Sequence, residues 1–109
     1  MEKIILIGGF GSGKTYLTKA IVSQNRGVIL HPNLKKQYIR EAVEFCERIA
    51  FDGFTEHSFI KKILSEDAAY NLTHILCTFQ SRPEWLTPMF VKKYRIKVFD
   101  LCSLPYIFH

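Results

Sequence analysis

The amino-acid sequence predicts an α/β fold: three layers, with helices on both sides of a central, mainly parallel sheet of about five strands. Short apolar runs alternate along the chain with segments whose apolar residues recur at helical spacing. The first run, Lys3 to Ile7, is largely β-branched and ends at glycines, which is typical of a buried parallel strand. A chain of 109 residues is about the size of one domain, so we assign residues 1–109 to a single domain.

The amino-terminal part of the chain, up to Leu30, predicts a strand, a glycine-rich loop and a helix, followed by a second strand. After the strand Lys3 to Ile7, helical spacing begins at Lys14 and continues until Asn25 and Gly27 provide a stop signal. A second short strand, Val28 to Leu30, follows. This order, strand then loop then helix, is the start of a parallel α/β sheet.

The rest of the chain, from Asn33 onward, continues the alternation of helices and strands. We first predict a helix capped by Asn33, with Ile39, Ala42, Val43 and Cys46 on one face, and then a strand from Arg48 to Asp52. A helix around Phe59 to Leu64 follows, capped by Ser58 or Thr55, and leads to a strand from Thr73 to Phe79. The last elements are a short helix from Thr87 and Pro88 to about Lys93 and a strand from Ile96 to Leu101. The aromatic residues Tyr106 and Phe108 lie in a tail after the last strand.

Composition argues against several classes of protein. Apolar residues make up 48% and charged residues 23% of the chain, as in soluble globular proteins. The longest aliphatic run, Ile4 to Ile7, is too short to span a bilayer, and no secretory signal is recognisable. The three cysteines are odd in number and lie in apolar stretches, which favours free thiols and a cytoplasmic location. A net charge of +5 makes contact with a polyanion plausible.

The segment GGFGSGKT, Gly8 to Thr15, matches the phosphate-loop pattern G-x-x-x-x-G-K-[ST]. Glycines allow the backbone amides to curl around phosphate oxygens, and the following helix adds its free amides. Lys14 is expected to reach the β and γ phosphates, and the Thr15 hydroxyl to bind Mg²⁺. The pattern therefore predicts a P-loop NTPase that binds ATP with Mg²⁺. We expect the nucleotide to be contacted by Gly8, Gly9, Phe10, Gly11, Ser12, Gly13, Lys14, Thr15 and Tyr16.

Hydrolysis requires a second Mg²⁺ anchor and a group that positions or deprotonates water. Asp52 ends an apolar strand, and the carboxyl ends of parallel strands meet at one edge of the sheet, so we predict Asp52 as the anchor; the alternative is a turn aspartate before Gly53. Glu56 is the candidate general base, or else a solvated carboxylate at a helix start.

Three further polar residues are candidates for catalysis. Gln80 ends the fourth predicted strand at the same edge, where its amide could contact the γ-phosphate or the attacking water. Arg82 and Arg95 could neutralise phosphate charge within the subunit or across an interface, although exposed arginines are usually only solvated.

Parts of the chain resemble the FtsK/HerA group of DNA-pumping ATPases, which includes viral genome-packaging ATPases. The stretch NLTHILCTFQSRPEWLTPMFVKKYRIKVFDL, Asn71 to Leu101, is similar to that group's sensor strand ending in glutamine and the elements after it. IAFDGF, Ile49 to Phe54, resembles its magnesium-binding strand, with Gly53 where an acidic residue is usual. The resemblance implies a RecA-like core that forms a homo-oligomeric ring, with an arginine supplied in trans, double-stranded DNA in the central pore and, for a viral member, a location in the host cytoplasm.

Three functions remain open from the sequence. A DNA translocase or packaging ATPase could use the basic pairs Lys35-Lys36, Lys61-Lys62 and Lys92-Lys93 to contact DNA backbones without reading sequence. A small nucleotide or metabolite kinase would use the same loop but would need a lid carrying several arginines, and no such insertion is visible. A nucleotide-binding assembly module without turnover would be consistent with Gly53.

Overall fold

The computed structural model describes residues 1–8, 27–55, 58–66 and 71–101. Within these ranges the chain forms an α/β fold around a five-stranded sheet in which every pairing is parallel. The predicted fold class is confirmed, and the architecture is compatible with a RecA-like three-layer fold. The predicted first helix and the aromatic tail lie outside the described residues.

The described elements alternate as the sequence predicts, and we number them in chain order. They are β1 (Glu2–Ile7), β2 (Gly27–Leu30), α1 (Lys36–Phe45), β3 (Arg48–Asp52), α2 (Ser58–Ser65), β4 (His74–Phe79), α3 (Pro88–Lys93) and β5 (Ile96–Asp100). The strand order across the sheet is β2-β3-β4-β1-β5. None of the described helices has the length and apolar character needed to cross a membrane.

The sheet buries both of its faces. On one face, alternate residues of the strands pack against α1, α2 and α3, and the ring of Phe51 is fully buried at the centre of this larger core. On the other face, Leu6, Ala50 and Leu76 from three neighbouring strands form a smaller core. Because side chains alternate between faces along a strand, each strand presents one set of residues to each core. Burial on both faces explains why the strands are almost continuously apolar.

The start of α1 differs from the sequence prediction. Asn33 was expected to cap this helix, but it lies in a turn closed by a hydrogen bond from the Leu34 amide to the His31 carbonyl, 3.2 Å long. The helix begins only at Lys36, with Lys35 as its N-cap and no side-chain hydrogen bond to the cap. The prediction was wrong because Asn33 takes part in the turn after β2, and the helix begins only after that turn.

Other boundaries shift by one residue. The fourth strand begins at His74, one residue later than predicted, and the Thr73 amide and hydroxyl both donate to the Glu47 carbonyl in the preceding connection. The fifth strand ends at Asp100, although the Leu101 amide still donates to the Ile7 carbonyl at 2.7 Å. In α3, Thr87 caps the helix as predicted, since its hydroxyl accepts a hydrogen bond from the Phe90 amide.

A buried lysine ties two helix ends to the amino-terminal edge of the sheet. Lys3 is only 3% exposed, and its Nζ donates hydrogen bonds to the carbonyl oxygens of Leu64 and Tyr94, at 2.7 and 3.0 Å. Leu64 lies in the last turn of α2, and Tyr94 follows α3 directly. The ammonium group therefore holds α2 and α3 side by side, where carbonyls at helix ends need partners.

Candidate functional site at the carboxyl edge of the sheet

The strand order brings three of the predicted site positions to neighbouring strand ends. Gly8 follows β1, Gln80 follows β4 and Asp52 ends β3, with β4 between the other two strands. The buried Gly8 amide donates to the Phe79 carbonyl at 2.9 Å, which fixes the start of the predicted phosphate loop against the end of β4. Since adjacent strands lie about 4.8 Å apart, β1 and β3 are about 10 Å apart.

Asp52 is held in place by a hydroxyl from the neighbouring strand. The Thr78 hydroxyl donates a 2.7 Å hydrogen bond to Asp52 Oδ1, and the two residues are aligned in the β3-β4 register. The Asp52 side chain is 22% exposed, and among the described residues its second oxygen, Oδ2, accepts no hydrogen bond. A fixed carboxylate with one oxygen available suits Mg²⁺ or a water bound to it, because this ion takes oxygen ligands and keeps several waters.

Gly53 turns the chain sharply after Asp52. Its φ is 75°, in the left-handed region, and its amide donates to the Thr78 hydroxyl oxygen at 3.3 Å. Thr78 Oγ1 thus accepts from Gly53 while donating to Asp52, so one buried hydroxyl fixes both the carboxylate and the turn. Glycine suits this position better than an acidic residue would, since residues with a Cβ rarely adopt this backbone conformation.

His31 faces Asp52 from the other side. It follows β2 directly, and its Nδ1 lies 3.8 Å from Asp52 Oδ2, with the imidazole side chain 53% exposed. At this distance the pair is an ion pair only when the imidazole is protonated. The carboxylate of Asp52 is therefore flanked by Thr78 on one side and His31 on the other.

The polar residues after β4 separate into two groups. Gln80 is exposed at the strand end between Gly8 and Asp52, where an amide can reach a ligand held by the flanking strands. Arg82 is exposed and its Nε donates to the Leu86 carbonyl at 2.9 Å, which holds the connection to α3 in shape. The guanidinium of Arg82 thus has a structural contact of its own.

Arg95 lies far from this edge within the same subunit. It precedes β5 with φ 56° and is exposed, at the amino-terminal edge of the sheet. The five residues of β5 separate it from the carboxyl edge, a rise of about 16 Å. A role for Arg95 in a neighbouring subunit's site stays a prediction.

The rest of the predicted site falls outside the described residues. This applies to the loop and helix residues that carry the nucleotide prediction, Gly9, Phe10, Gly11, Ser12, Gly13, Lys14, Thr15 and Tyr16, and to the proposed base Glu56. No model of a known protein family matches the chain, and a search of curated proteins finds no match either.

Two residues near Asp52 were given no role from the sequence. Thr78 is a hydroxyl residue in the otherwise apolar, buried part of β4 from Ile75 to Phe79, and that exception is the signal that could have singled it out. His31 directly follows a short apolar strand, so the rule that places ligands at strand ends could have identified it. Neither signal predicts the contact with Asp52, because that contact depends on which strands are neighbours in the sheet.

Proposed function

We propose that this chain binds ATP with Mg²⁺ at the loop Gly8 to Thr15 and hydrolyses it. The observation that carries the proposal is the neighbouring position of Gly8, Gln80 and Asp52 on three adjacent strand ends, with Asp52 oriented by Thr78. Ligands of open parallel sheets bind outside the carboxyl ends of the strands, which is where these residues lie. The phosphate-loop pattern begins at the same edge.

Each residue has a distinct task in this proposal. Lys14 binds the β and γ phosphates, and Thr15 and Asp52 hold Mg²⁺, which when bound neutralises charge that develops on the phosphates. Gln80, between the two strands, orients the attacking water or contacts the γ-phosphate. Glu56 is the candidate to accept the proton of that water.

We propose further that hydrolysis is coupled to movement of double-stranded DNA by an oligomer of this chain. The surface of α2, α3 and the turn that follows α3 supports this, because it carries a basic patch, defined here as the exposed residues Lys61, Lys62, Lys92, Lys93 and Arg95. Lys61 Nζ lies 6.0 Å from the centre of the Phe90 ring, and Lys3 bonds to both helix ends, so the two helices lie together. Such a patch suits backbone phosphates and carries no sequence information.

The decisive experiment measures phosphate release from ATP with and without double-stranded DNA, for the wild type and Lys14→Ala. We expect Mg²⁺-dependent release that falls by at least roughly 100-fold in the variant, because the loop lysine contacts the phosphates directly. Unchanged release in Lys14→Ala would refute the proposed site. Nucleotide binding with no turnover under any condition would favour an assembly module instead.

A second arm tests the DNA partner. Lys92→Gln/Lys93→Gln should weaken DNA stimulation and reduce its salt dependence, whereas the control Arg48→Gln/Lys97→Gln, which removes the same charge outside the basic pairs, should not. Release that is indifferent to DNA at low salt, or a strict monomer in every nucleotide state, would refute translocation while leaving the ATP site intact. Transfer of phosphate to a nucleoside monophosphate would identify a kinase.

A further inference from the structure

A cavity of about 540 Å³ opens at the carboxyl edge of the sheet, beyond Asp52 on the side away from β1. It lies between the connection that follows β2, represented by Pro32 and Leu34, and the connection that follows β3, represented by Phe54 and Thr55. Its volume falls within the range of about 300–1,000 Å³ that is usual for small-molecule sites. In the sheet, β3 and β4 lie between the cavity and β1, and Gly8, the described start of the predicted phosphate loop, follows β1.

One wall of the cavity is aromatic and is anchored in the core. The rings of Phe54 and Phe59 both line the space, and both pack edge to face on the buried ring of Phe51, with centroids 5.3 and 6.1 Å away. Phe59 is 37% exposed, so part of its side chain remains accessible to a ligand while the contact with Phe51 holds the ring in place. A fixed aromatic wall suits a flat apolar group such as a nucleic-acid base.

The lining of the cavity is also positively charged. Lys36 and Arg40 line the cavity one helical turn apart on α1, and no carboxylate among the described residues lies within ion-pairing distance of either. The first turn of α1 contains no acidic residue. The hydroxyls of Thr55 and Ser58 add hydrogen-bonding groups to the lining. Two cations without an acidic partner favour a phosphate, which they can bind through charge-assisted hydrogen bonds.

We propose that this cavity binds a nucleoside monophosphate group, with its phosphate on Lys36 and Arg40 and its base against Phe54 and Phe59. The group is supplied either as a free nucleotide or as one nucleotide of a single strand. This site is additional to the proposed ATP site and does not depend on hydrolysis.

The test is equilibrium binding by calorimetry, performed in the Lys14→Ala background so that the phosphate loop does not contribute. The probes are the four ribonucleoside monophosphates, the corresponding nucleosides, and a short single-stranded oligonucleotide. Removal of two charge-assisted contacts in Lys36→Gln/Arg40→Gln should weaken binding at least about tenfold. The matched control Lys35→Gln/Lys97→Gln removes the same charge outside the cavity and should bind as its parent does.

The outcomes are distinct. Binding of a monophosphate, lost in Lys36→Gln/Arg40→Gln and kept in the control, supports a free nucleotide; binding of the oligonucleotide alone with the same variant pattern supports a strand. Loss of all binding in Lys14→Ala, compared with the wild type, would mean that only the phosphate loop binds nucleotides and would overturn the inference. Equal affinity for nucleosides and nucleotides, or no effect of the cation variant, would overturn it as well.

Discussion

The two edges of the sheet each hold a charged strand residue, but they use it differently. At the amino-terminal edge, Lys3 is buried and donates to the carbonyls of Leu64 and Tyr94, so its charge is compensated by hydrogen bonds within the fold. At the carboxyl edge, Asp52 is partly exposed and only one of its oxygens accepts a hydrogen bond from the described residues. The first arrangement joins helices, and the second leaves binding capacity for a ligand.

This difference separates a structural ion from a candidate functional one. A buried charge costs free energy unless hydrogen bonds compensate for it, and the contacts of Lys3 provide that compensation. Asp52 retains an oxygen that faces His31 and solvent, and its neighbours at the edge are Gly8 and Gln80. Substitution at the first edge should therefore change stability, and substitution at the second should change activity.

The largest effect that we expect is on turnover in Asp52→Asn. The amide oxygen of asparagine can still accept the Thr78 hydrogen bond, so the fold should remain, but the charge that holds Mg²⁺ is lost. Phosphate release should fall roughly 100-fold and require more Mg²⁺. The measurement is ATP turnover across a Mg²⁺ titration, together with a denaturant unfolding curve that should stay close to that of the wild type.

Asp100→Asn is a matched control for that variant. Asp100 also ends a strand at the carboxyl edge, where it is aligned with Ile7 of β1. Asp52 is aligned with Thr78, which is aligned with Leu6 of β1. Since Leu6 and Ile7 are consecutive strand residues, Asp52 and Asp100 lie on opposite faces of the sheet. Turnover in Asp100→Asn should therefore resemble the wild type. If both variants lost turnover equally, the proposed role of Asp52 as a specific anchor would be wrong.

The next effect is on stability, in Lys3→Met. Methionine keeps most of the side-chain volume but leaves two helix-end carbonyls without their charged donor, so unfolding should require about 3 kcal/mol less. Denaturant unfolding measures this difference. Lys97→Met is the control: Lys97 hydrogen-bonds to Glu2 and lowers the pKa of that carboxyl, yet the pair is exposed and should contribute little. Equal destabilisation by both variants would contradict the structural role of Lys3.

Thr78→Val should affect stability and activity together. Valine matches the shape of threonine but removes the hydroxyl that joins Asp52 to Gly53, at a cost of about 1–2 kcal/mol in unfolding free energy. The affinity for Mg²⁺ should fall roughly tenfold, because a residue that orients a ligand tunes metal binding. Thr78→Ser keeps the hydroxyl and should restore Mg²⁺ affinity. Failure of serine to restore it would show that packing of the threonine methyl group, and not the hydrogen bond, matters.

The sequence predicts the elements of this fold more successfully than the contacts between them. The strand that ends in Asp52 and the helix from Pro88 are recognisable because their apolar spacing and capping signals are local. The pairing of Thr78 with Asp52 is not, because it depends on β4 lying beside β3, a consequence of packing between distant segments. The cap at Asn33 was predicted wrongly because a turn competes for the same residue.

The smallest effect concerns the turn that ends β3, in Gly53→Ala. An added Cβ would meet no atom within 4 Å, so any cost comes from the backbone, whose φ of 75° disfavours residues with a side chain. Unfolding should require about 1 kcal/mol less. Gly53→Asn should lose less stability, because asparagine tolerates the left-handed region better than alanine does. Denaturant midpoints for the three proteins check the order Gly, Asn, Ala, and alanine as stable as glycine would mean that the turn relaxes to an ordinary backbone. Since the Gly53 amide donates to Thr78, that relaxation would also remove a hydrogen bond from the hydroxyl that orients Asp52, and turnover measured on the same variants would reveal any effect on Asp52.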